Sequence, residues 1–481
     1  MSGAGRESTW SGGITALARN ETVHITNSGN RMRVNSQRSS IVLGVLMVMA
    51  SANLCAQNPV IKGQYTADPT ARVFGDRVYL FPSHDIRATE GKGRPGWFCM
   101  EDYHVYSSGD LVEWKDHGVI LSQTTIPWAN PRAYALWAPD AISRNGKFYF
   151  YFPAPARDSS YGRGFSVGVA VADAPEGPYR PEPEPIRGVH GIDPNVFIDR
   201  DGQAYLYWAA RDLYVAKLKP NMTELDGPPQ VIQNLPTVGL KEGPFMFERN
   251  GKYYLTYPHV ENKTERLEYA MGDGPLGPFT VTGVIMDESP TGCWTNHQSF
   301  IEFGGQWYLF YHHNDYSPAF DKNRSTRIDS LFFEADGTIR KVIPTLRGVG
   351  VTDAGSEIQI DRYSMASAAG VTTALLDTLH PFQGLKVRLD SAGAWIRYNA
   401  VRFGDRSGAT VHVRAAAGQG GTVEIRIGRS DGPLLARVDI PAGPEWSVVP
   451  VHVAGRQSGL HDLVVRLTSA SAVEIDWVRF E

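Results

Sequence analysis

Five residues able to take part in proton chemistry recur along the chain, Asp68, Asp140, Asp193, Glu242 and His297, with gaps of 72, 53, 49 and 55 residues. Each heads the same phrase: a polar residue, an apolar run, a glycine turn and an aromatic run. Hydrolysis of a glycosidic bond needs such groups in pairs. One carboxylic acid protonates the leaving oxygen, and a carboxylate on the opposite face activates water when the two stand roughly 6.5–9.5 Å apart, which inverts the configuration. A third carboxylate beside the acid raises its pKa by like-charge repulsion and keeps it protonated near neutrality. A single Asp or Glu in such a place more often caps a strand, pairs with a cation or helps to hold a metal. For the set, Asp68-Pro69, Asp193-Pro194 and Glu242-Gly243-Pro244 all put a carboxylate just before a stiffening proline, which favours a shared task.

The elements that must position these heads follow from the same phrases. Val78-Tyr79-Leu80-Phe81, Phe148-Tyr149-Phe150-Tyr151, Tyr205-Leu206-Tyr207-Trp208, Tyr253-Tyr254-Leu255 and Trp307-Tyr308-Leu309-Phe310 each follow a glycine turn, so each phrase predicts a β-hairpin. Repeats of about 50 residues with roughly four strands are the mark of propeller blades. Residues 59–350 therefore predict a five-bladed β-propeller, in which the first strand of every blade lines a central channel and the five heads face a common axis. After Gly350 the repeat and its tyrosines disappear. Residues 357–481 carry short alternating strands such as Val423–Ile427 and Leu463–Leu467, which predict a jelly-roll β-sandwich joined through Thr352–Ser356.

Composition agrees with an all-β chain and excludes other classes. The chain has 481 residues, 49 of them glycine and 31 proline, with 42% hydrophobic and 20% charged residues and a net charge of −4. That usage is globular, and without a basic run no nucleic-acid partner is expected. Ile41–Ala50 is an apolar stretch too short to span a membrane, preceded by Arg33 and Arg38 and followed by Ala56. Residues 1–56 are expected to be a signal peptide with an N-terminal extension, which implies export to the periplasm or the medium. Cys55 raises lipidation as an alternative, and Cys99 and Cys293 raise a disulfide.

The pattern resembles glycoside hydrolase family 43. Ala67-Asp68-Pro69, Trp137-Ala138-Pro139-Asp140, Gly191-Ile192-Asp193-Pro194, Lys241-Glu242-Gly243-Pro244, Asn296-His297-Gln298-Ser299 and Asp336-Gly337-Thr338-Ile339 carry the resemblance. It implies an inverting hydrolase that releases terminal β-D-xylosyl or α-L-arabinofuranosyl residues from plant hemicellulose or arabinan oligosaccharides. The alternatives are a galactan-cleaving relative and a non-catalytic glycan-binding propeller. By position, Asp68 is the expected general base, Glu242 the general acid and Asp193 the residue that tunes and orients the acid. His297 is the expected neighbour of a channel Ca²⁺, met through water, and no organic cofactor is implied. Asp140 is expected to be structural.

Sugar rings stack on aromatic faces. Trp97 and Phe98, in an insertion over residues 84–102, and Trp137 are the candidate platforms, with Trp294 a weaker one. Arg324 resembles a family arginine that hydrogen-bonds sugar hydroxyls, with Arg327 close enough to be confused with it. The insertion suggests a pocket closed at one end and hence exo action. The C-terminal region resembles carbohydrate-binding module family 6 through Ala394–Tyr398, Gly420-Gly421, Gly459–His461 and Ile475–Phe480. It departs in having Glu474 where that family often has Asn, and Trp395, Trp446 and Trp477 read as strand or core residues, so sugar binding by the module stays open.

Overall fold

The computed structural model describes residues 57–404 and 409–481. The expected leader, its cleavage site and Cys55 lie outside them. The described chain is nearly all β, with two single-turn 3₁₀ segments as the helical exceptions among described residues. Four antiparallel four-stranded sheets follow in chain order. The first holds β1 (Ala67–Phe74), β2 (Arg77–Ser83), β3 (Asp102–Ser108) and β4 (Lys115–Ser122). The second holds β5 (Asp140–Arg144), β6 (Lys147–Pro155), β7 (Phe165–Ala172) and β8 (Arg180–Pro181). The third holds β9 (Ile192–Ile198), β10 (Ala204–Ala209), β11 (Leu213–Leu218) and β12 (Gln230–Val231). The fourth holds β13 (Phe245–Arg249), β14 (Lys252–Val260), β15 (Glu265–Gly272) and β16 (Phe279–Met286). The fifth has three strands, β17 (Ser299–Phe303), β18 (Gln306–His313) and β19 (Ser325–Leu331).

The glycine turns close the inner hairpins as expected. Asn145-Gly146 and Asn250-Gly251 both take positive φ at both positions (53° and 75°, 53° and 82°), the two-residue turn whose twist matches antiparallel strands. The fifth blade departs from the four-strand expectation because its free edge is covered by the start of the described chain. Val60 N–H donates to Thr326 O (3.0 Å), Thr66 N–H to Arg324 O (2.9 Å), and the buried Asn58 amide exchanges hydrogen bonds with the Ile328 backbone. This ties the first described residues to the last blade and leaves no exposed edge there.

The inner strands are linked blade to blade by side chains. Ser299 Oγ donates to Pro69 O (2.6 Å) and accepts from Ala71 N–H (2.9 Å). Thr70 Oγ1 donates to Pro139 O (2.7 Å). Asp140 Oδ2 accepts from Val196 N–H (2.6 Å), and Asn195 Oδ1 accepts from Met246 N–H (2.9 Å). Gln298 Nε2 donates to Gly243 O (2.8 Å) and closes the circuit. Asp140 faces the channel with the other heads but at a different depth. It lies two residues further into its strand than Asp68 and Asp193, level with Thr70, Asn195 and Ser299, and Ala138 takes the mouth position in its blade. Its structural assignment agrees with its contacts. Arg72 reaches across the channel to grip both Asp140 oxygens (2.8 and 2.6 Å), touches Val196 O (3.1 Å) and lies 4.9 Å over the Phe245 ring.

Two six-stranded sheets form the C-terminal β-sandwich. One includes Trp395–Phe403, Gly459–Leu467, Gly421–Ile427 and Leu434–Ile440, the other Leu385–Leu389, Val473–Phe480, Thr410–Ala417 and Gly443–His452. Their inner faces bury one core that includes Ile396, Val413, Ile425, Val465, Ile475 and Val478. Trp395, Trp446 and Trp477 all lie in strands, and Glu474 is held by Lys386 (2.8 Å). The Arg347 Nε–H donates to Asn399 O (3.0 Å) and the Arg362 Nη1–H to Asn58 O (2.7 Å), so buried arginines join sandwich and propeller.

Removing one partner of a buried ion pair leaves a charge without compensation. Asp140→Ala is therefore expected to lower stability by about 3–5 kcal/mol, read by chaotrope unfolding. A loss of activity without that loss of stability would mean that Asp140 does chemistry.

Candidate active site

The segments that lead into the inner strands meet at one end of the propeller and enclose a cavity of about 390 Å³. Asp68 enters it from β1, Trp137 and Ala138 from just before β5, and Asp193 from β9. Glu242 comes from just before β13, His297 from just before β17 and Arg324 from just before β19. Asp68 (φ 46°) and Asp193 (φ 56°) sit in the left-handed region directly before proline, and Gly243 (φ 52°) does the same before Pro244. A non-glycine residue there costs roughly 1–3 kcal/mol, a strain that persists where the surroundings enforce it and that clusters at functional sites. The offset also explains the motif: in the fourth blade glycine takes the strained position, and Glu242 reaches the pocket from one residue earlier.

The carboxyls are set apart by their partners. Burial works to raise the Asp68 pKa, but the Arg324 guanidinium, together with His312, His297 and Ser83, holds the group below the usual carboxylate range. Arg324 Nη1 donates to Asp68 Oδ1 (2.7 Å) and to Thr295 Oγ1 (3.3 Å), while Nε and Nη2 bind the two oxygens of buried Asp85 (2.9 Å each). Asp68 N–H donates to His312 Nδ1 (3.0 Å), so that imidazole carries its proton on Nε2, which donates to Thr295 O (3.1 Å). Burial pushes His312 down to about 3 and His297 down to about 4, so both rings are neutral at ordinary pH.

Across the pocket the direction reverses. Burial, then the charges of Glu242 and Asp68, raises Asp193 well above the ordinary value. Asp193 Oδ2 accepts from Gly243 N–H (2.9 Å), which fixes the backbone beside Glu242. Burial also raises Glu242, whose titration is linked to that of the Glu265 carboxyl at the start of β15. Glu265 is raised further, by burial and then by Glu242, and its Oε2 accepts from Asn296 N–H (2.7 Å). One side thus holds an ionised carboxylate locked to arginine, and the other a cluster of buried carboxyls that retains protons.

The aromatic candidates all line the cavity. Trp97 and Phe98 rings stand 5.5 Å apart, Phe98 and Trp137 6.2 Å, and Phe98 lies 4.8 Å under the Arg324 guanidinium. Trp97 is 42% exposed and Trp294, also in the lining, 37%. Arg324 is in place, but its donors are mostly spent on Asp85, Asp68 and Thr295, which makes it first an electrostatic anchor for Asp68. Arg327 is engaged by buried Asp315 and is absent from the lining. Cys99 and Cys293 are free and buried, so the disulfide raised by the sequence is not formed. Glu265, Asp85 and His312 were not among the sequence candidates. Glu265 opens the third strand of its blade, where the head motif gives no signal, whereas Asp85 in the insertion was open to notice.

The residues around His297 do not make a calcium cage. Ca²⁺ takes six to eight oxygen ligands. The nearby Asp68 carboxylate is committed to Arg324, so a Ca²⁺ beside His297 would draw its oxygens mainly from water, as the sequence expectation had it. Among the described residues, three metal-ligating side chains converge at one place, His84, Asp102 and His104, outside this cavity.

Comparison with known proteins matches residues 56–339 to the glycosyl hydrolases family 43 and residues 363–481 to the carbohydrate binding module (family 6). The chain belongs to glycosyl hydrolase family 43. It is 37% identical over 330 residues to a xylosidase/arabinosidase of Humicola insolens, covering 58% of this chain and 98% of that protein. A family 43 β-xylosidase/α-arabinofuranosidase from a compost microbial metagenome was solved with xylotriose in a calcium-free form. It superposes with a TM-score of 0.54 at 38% identity, over 60% of this chain and 97% of that one. An arabinoxylan arabinofuranohydrolase from Bacillus subtilis, solved with cellotetraose, superposes with a TM-score of 0.52 at 25% identity, over 88% of this chain and 97% of that one. No described helix is long and apolar enough to cross a membrane.

The pKa directions set a pH profile. A group held above its ordinary value keeps its proton, and the step that needs the proton is lost as pH rises through the raised value. Asp68, held low, loses its basic form only as pH falls below the ordinary carboxylate range. The Glu242–Glu265 pair gives up its last proton late because the two charges repel. In Glu265→Gln that repulsion is gone, so the alkaline limb of kcat/KM is expected to move to lower pH by about one unit or more. An unmoved limb would show that Glu265 does not share the proton.

Proposed function

We propose that this chain is an exo-acting inverting glycosidase that removes terminal β-D-xylosyl or α-L-arabinofuranosyl units from hemicellulose or arabinan oligosaccharides. The observation that carries the reading is the opposed charge state of the two sides of the pocket. Asp68, ionised against Arg324, takes a proton from water as that water attacks the anomeric carbon. Glu242, whose pKa is raised by burial with the Asp68 charge adding to it, gives its proton to the leaving oxygen, and Asp193 orients it through Gly243. These steps are assigned to side chains alone. Trp97, Phe98 and Trp137 supply apolar faces for the sugar ring, and the insertion that carries the first two closes one end of the pocket, which supports exo action. His297, neutral and in the lining, hydrogen-bonds a sugar hydroxyl.

In the same reading, residues 59–350 are the catalytic domain and 357–481 a carbohydrate-binding module that also braces it. Residues 1–56 direct export to the periplasm or medium, where plant glycan fragments are met. The test is hydrolysis of aryl β-D-xylopyranoside and aryl α-L-arabinofuranoside, with the anomeric form of the released sugar followed by NMR. The expected outcome is turnover of at least one, with the product first appearing in the inverted configuration. Retention would contradict the assigned mechanism, and failure on both with turnover of a galactoside would move the substrate to galactan.

A further inference from the structure

His84 and Asp102 stand at the two ends of the insertion that carries Trp97 and Phe98, facing each other across the β2–β3 pairing, where Ser83 is opposite Tyr103. His84 Nδ1 lies 2.7 Å from Asp102 Oδ1. His104, two residues along β3 on the same face, brings its Nε2 to 4.0 Å from that oxygen, and the two imidazole centroids are 5.1 Å apart. A ring nitrogen from each histidine and a carboxylate oxygen all fall within 4.8 Å of one another. The other nitrogen of His104, Nδ1, is 3.1 Å from Asp116 Oδ1 on β4. A carboxylate there fixes the proton on Nδ1 and turns the Nε2 lone pair toward His84 and Asp102. This is the outer carboxylate that metal-bound histidines characteristically have.

We propose that His84, Asp102 and His104 bind one divalent transition-metal ion of the zinc class, with Asp116 as the outer partner of His104. Ligand atoms of a tetrahedral zinc site stand about 3.3 Å apart when the bonds are about 2.0–2.1 Å, and 2.7 and 4.0 Å bracket that spacing. Two nitrogens and one oxygen suit zinc and its transition-metal neighbours rather than Ca²⁺ or Mg²⁺, which take oxygen ligands. The side chains are 13–17% exposed, shielded enough to be ordered and open enough for an ion to enter and keep a water in the fourth position. Bound there, the ion staples the base of the loop that forms the aromatic wall. Its neighbour in sequence, Asp85, holds Arg324, so the staple also adjoins the anchor of Asp68.

The test is zinc titration of the full chain after chelator stripping, followed by calorimetry and by tryptic cleavage at the exposed Arg87 inside the loop. Wild type is expected to bind one equivalent, with a higher melting temperature and slower cleavage at Arg87. His84→Ala and His104→Gln are expected to lose the equivalent and the protection. Asp116→Asn is expected to keep the stoichiometry with affinity weakened about 10–100-fold. Absence of stoichiometric binding to wild type, or binding unchanged in both histidine variants, would overturn the proposal. So would binding that leaves loop cleavage as fast as before.

Discussion

The Arg324 guanidinium lies between two buried carboxylates, Asp85 and Asp68, and the charge pattern of the pocket depends on it. A lone carboxylate as buried as Asp68 would take up a proton, because burial penalises the charged form. The bidentate clasp of Asp85 holds the arginine in one orientation, and the remaining face of the guanidinium meets Asp68. Asp193 and Glu242 feel the same arginine only weakly, without an ion pair to it, and share a buried volume with Glu265, so burial prevails there. In the proposed mechanism, two carboxylates of ordinary chemistry serve as base and acid through this difference in partners.

Such a contrast needs rigid placement, and the propeller supplies it through the inner-strand circuit. A side-chain-to-backbone hydrogen bond links every neighbouring pair of blades, and Arg72 locks three other blades beneath the pocket floor. Movement of one blade therefore disturbs the mouth positions of its neighbours. The first described residues, bound along β19, extend the same restraint to Arg324, whose backbone carbonyl receives the Thr66 N–H.

Much of this was legible in the sequence. Period, turn residues and aromatic runs specified five hairpins, because a two-residue Asn-Gly turn and β-rich flanks leave few other options. The motifs before proline marked Asp68 and Asp193, which themselves take the left-handed backbone, and Glu242, one residue before Gly243, which takes it in the fourth blade. Trp97, Phe98 and Trp137 were visible as aromatics beside heads or in an insertion. That Asp140 lies two residues deeper than Asp68 and Asp193 was not legible, because a head motif does not fix depth along a strand; pairing register does. Glu265 was silent because it meets Glu242 from the third strand of its blade, a contact set by sheet geometry rather than by local pattern. Arg324 was found by type, but its work on Asp68 depends on Asp85, 239 residues away.

The central claim is that Glu242 is the proton donor and Asp68 the base. It is tested most directly by the leaving-group dependence of Glu242→Gln against wild type, on aryl glycosides of graded leaving ability and a natural oligosaccharide. An activated phenol departs without help, whereas a sugar alcohol needs the proton, and general acid catalysis contributes about 10²–10⁴-fold. The account predicts a small loss on the most activated substrate that grows toward that range on the oligosaccharide, with the alkaline limb of the pH profile gone. An equal loss on every substrate, with the alkaline limb intact, would contradict it.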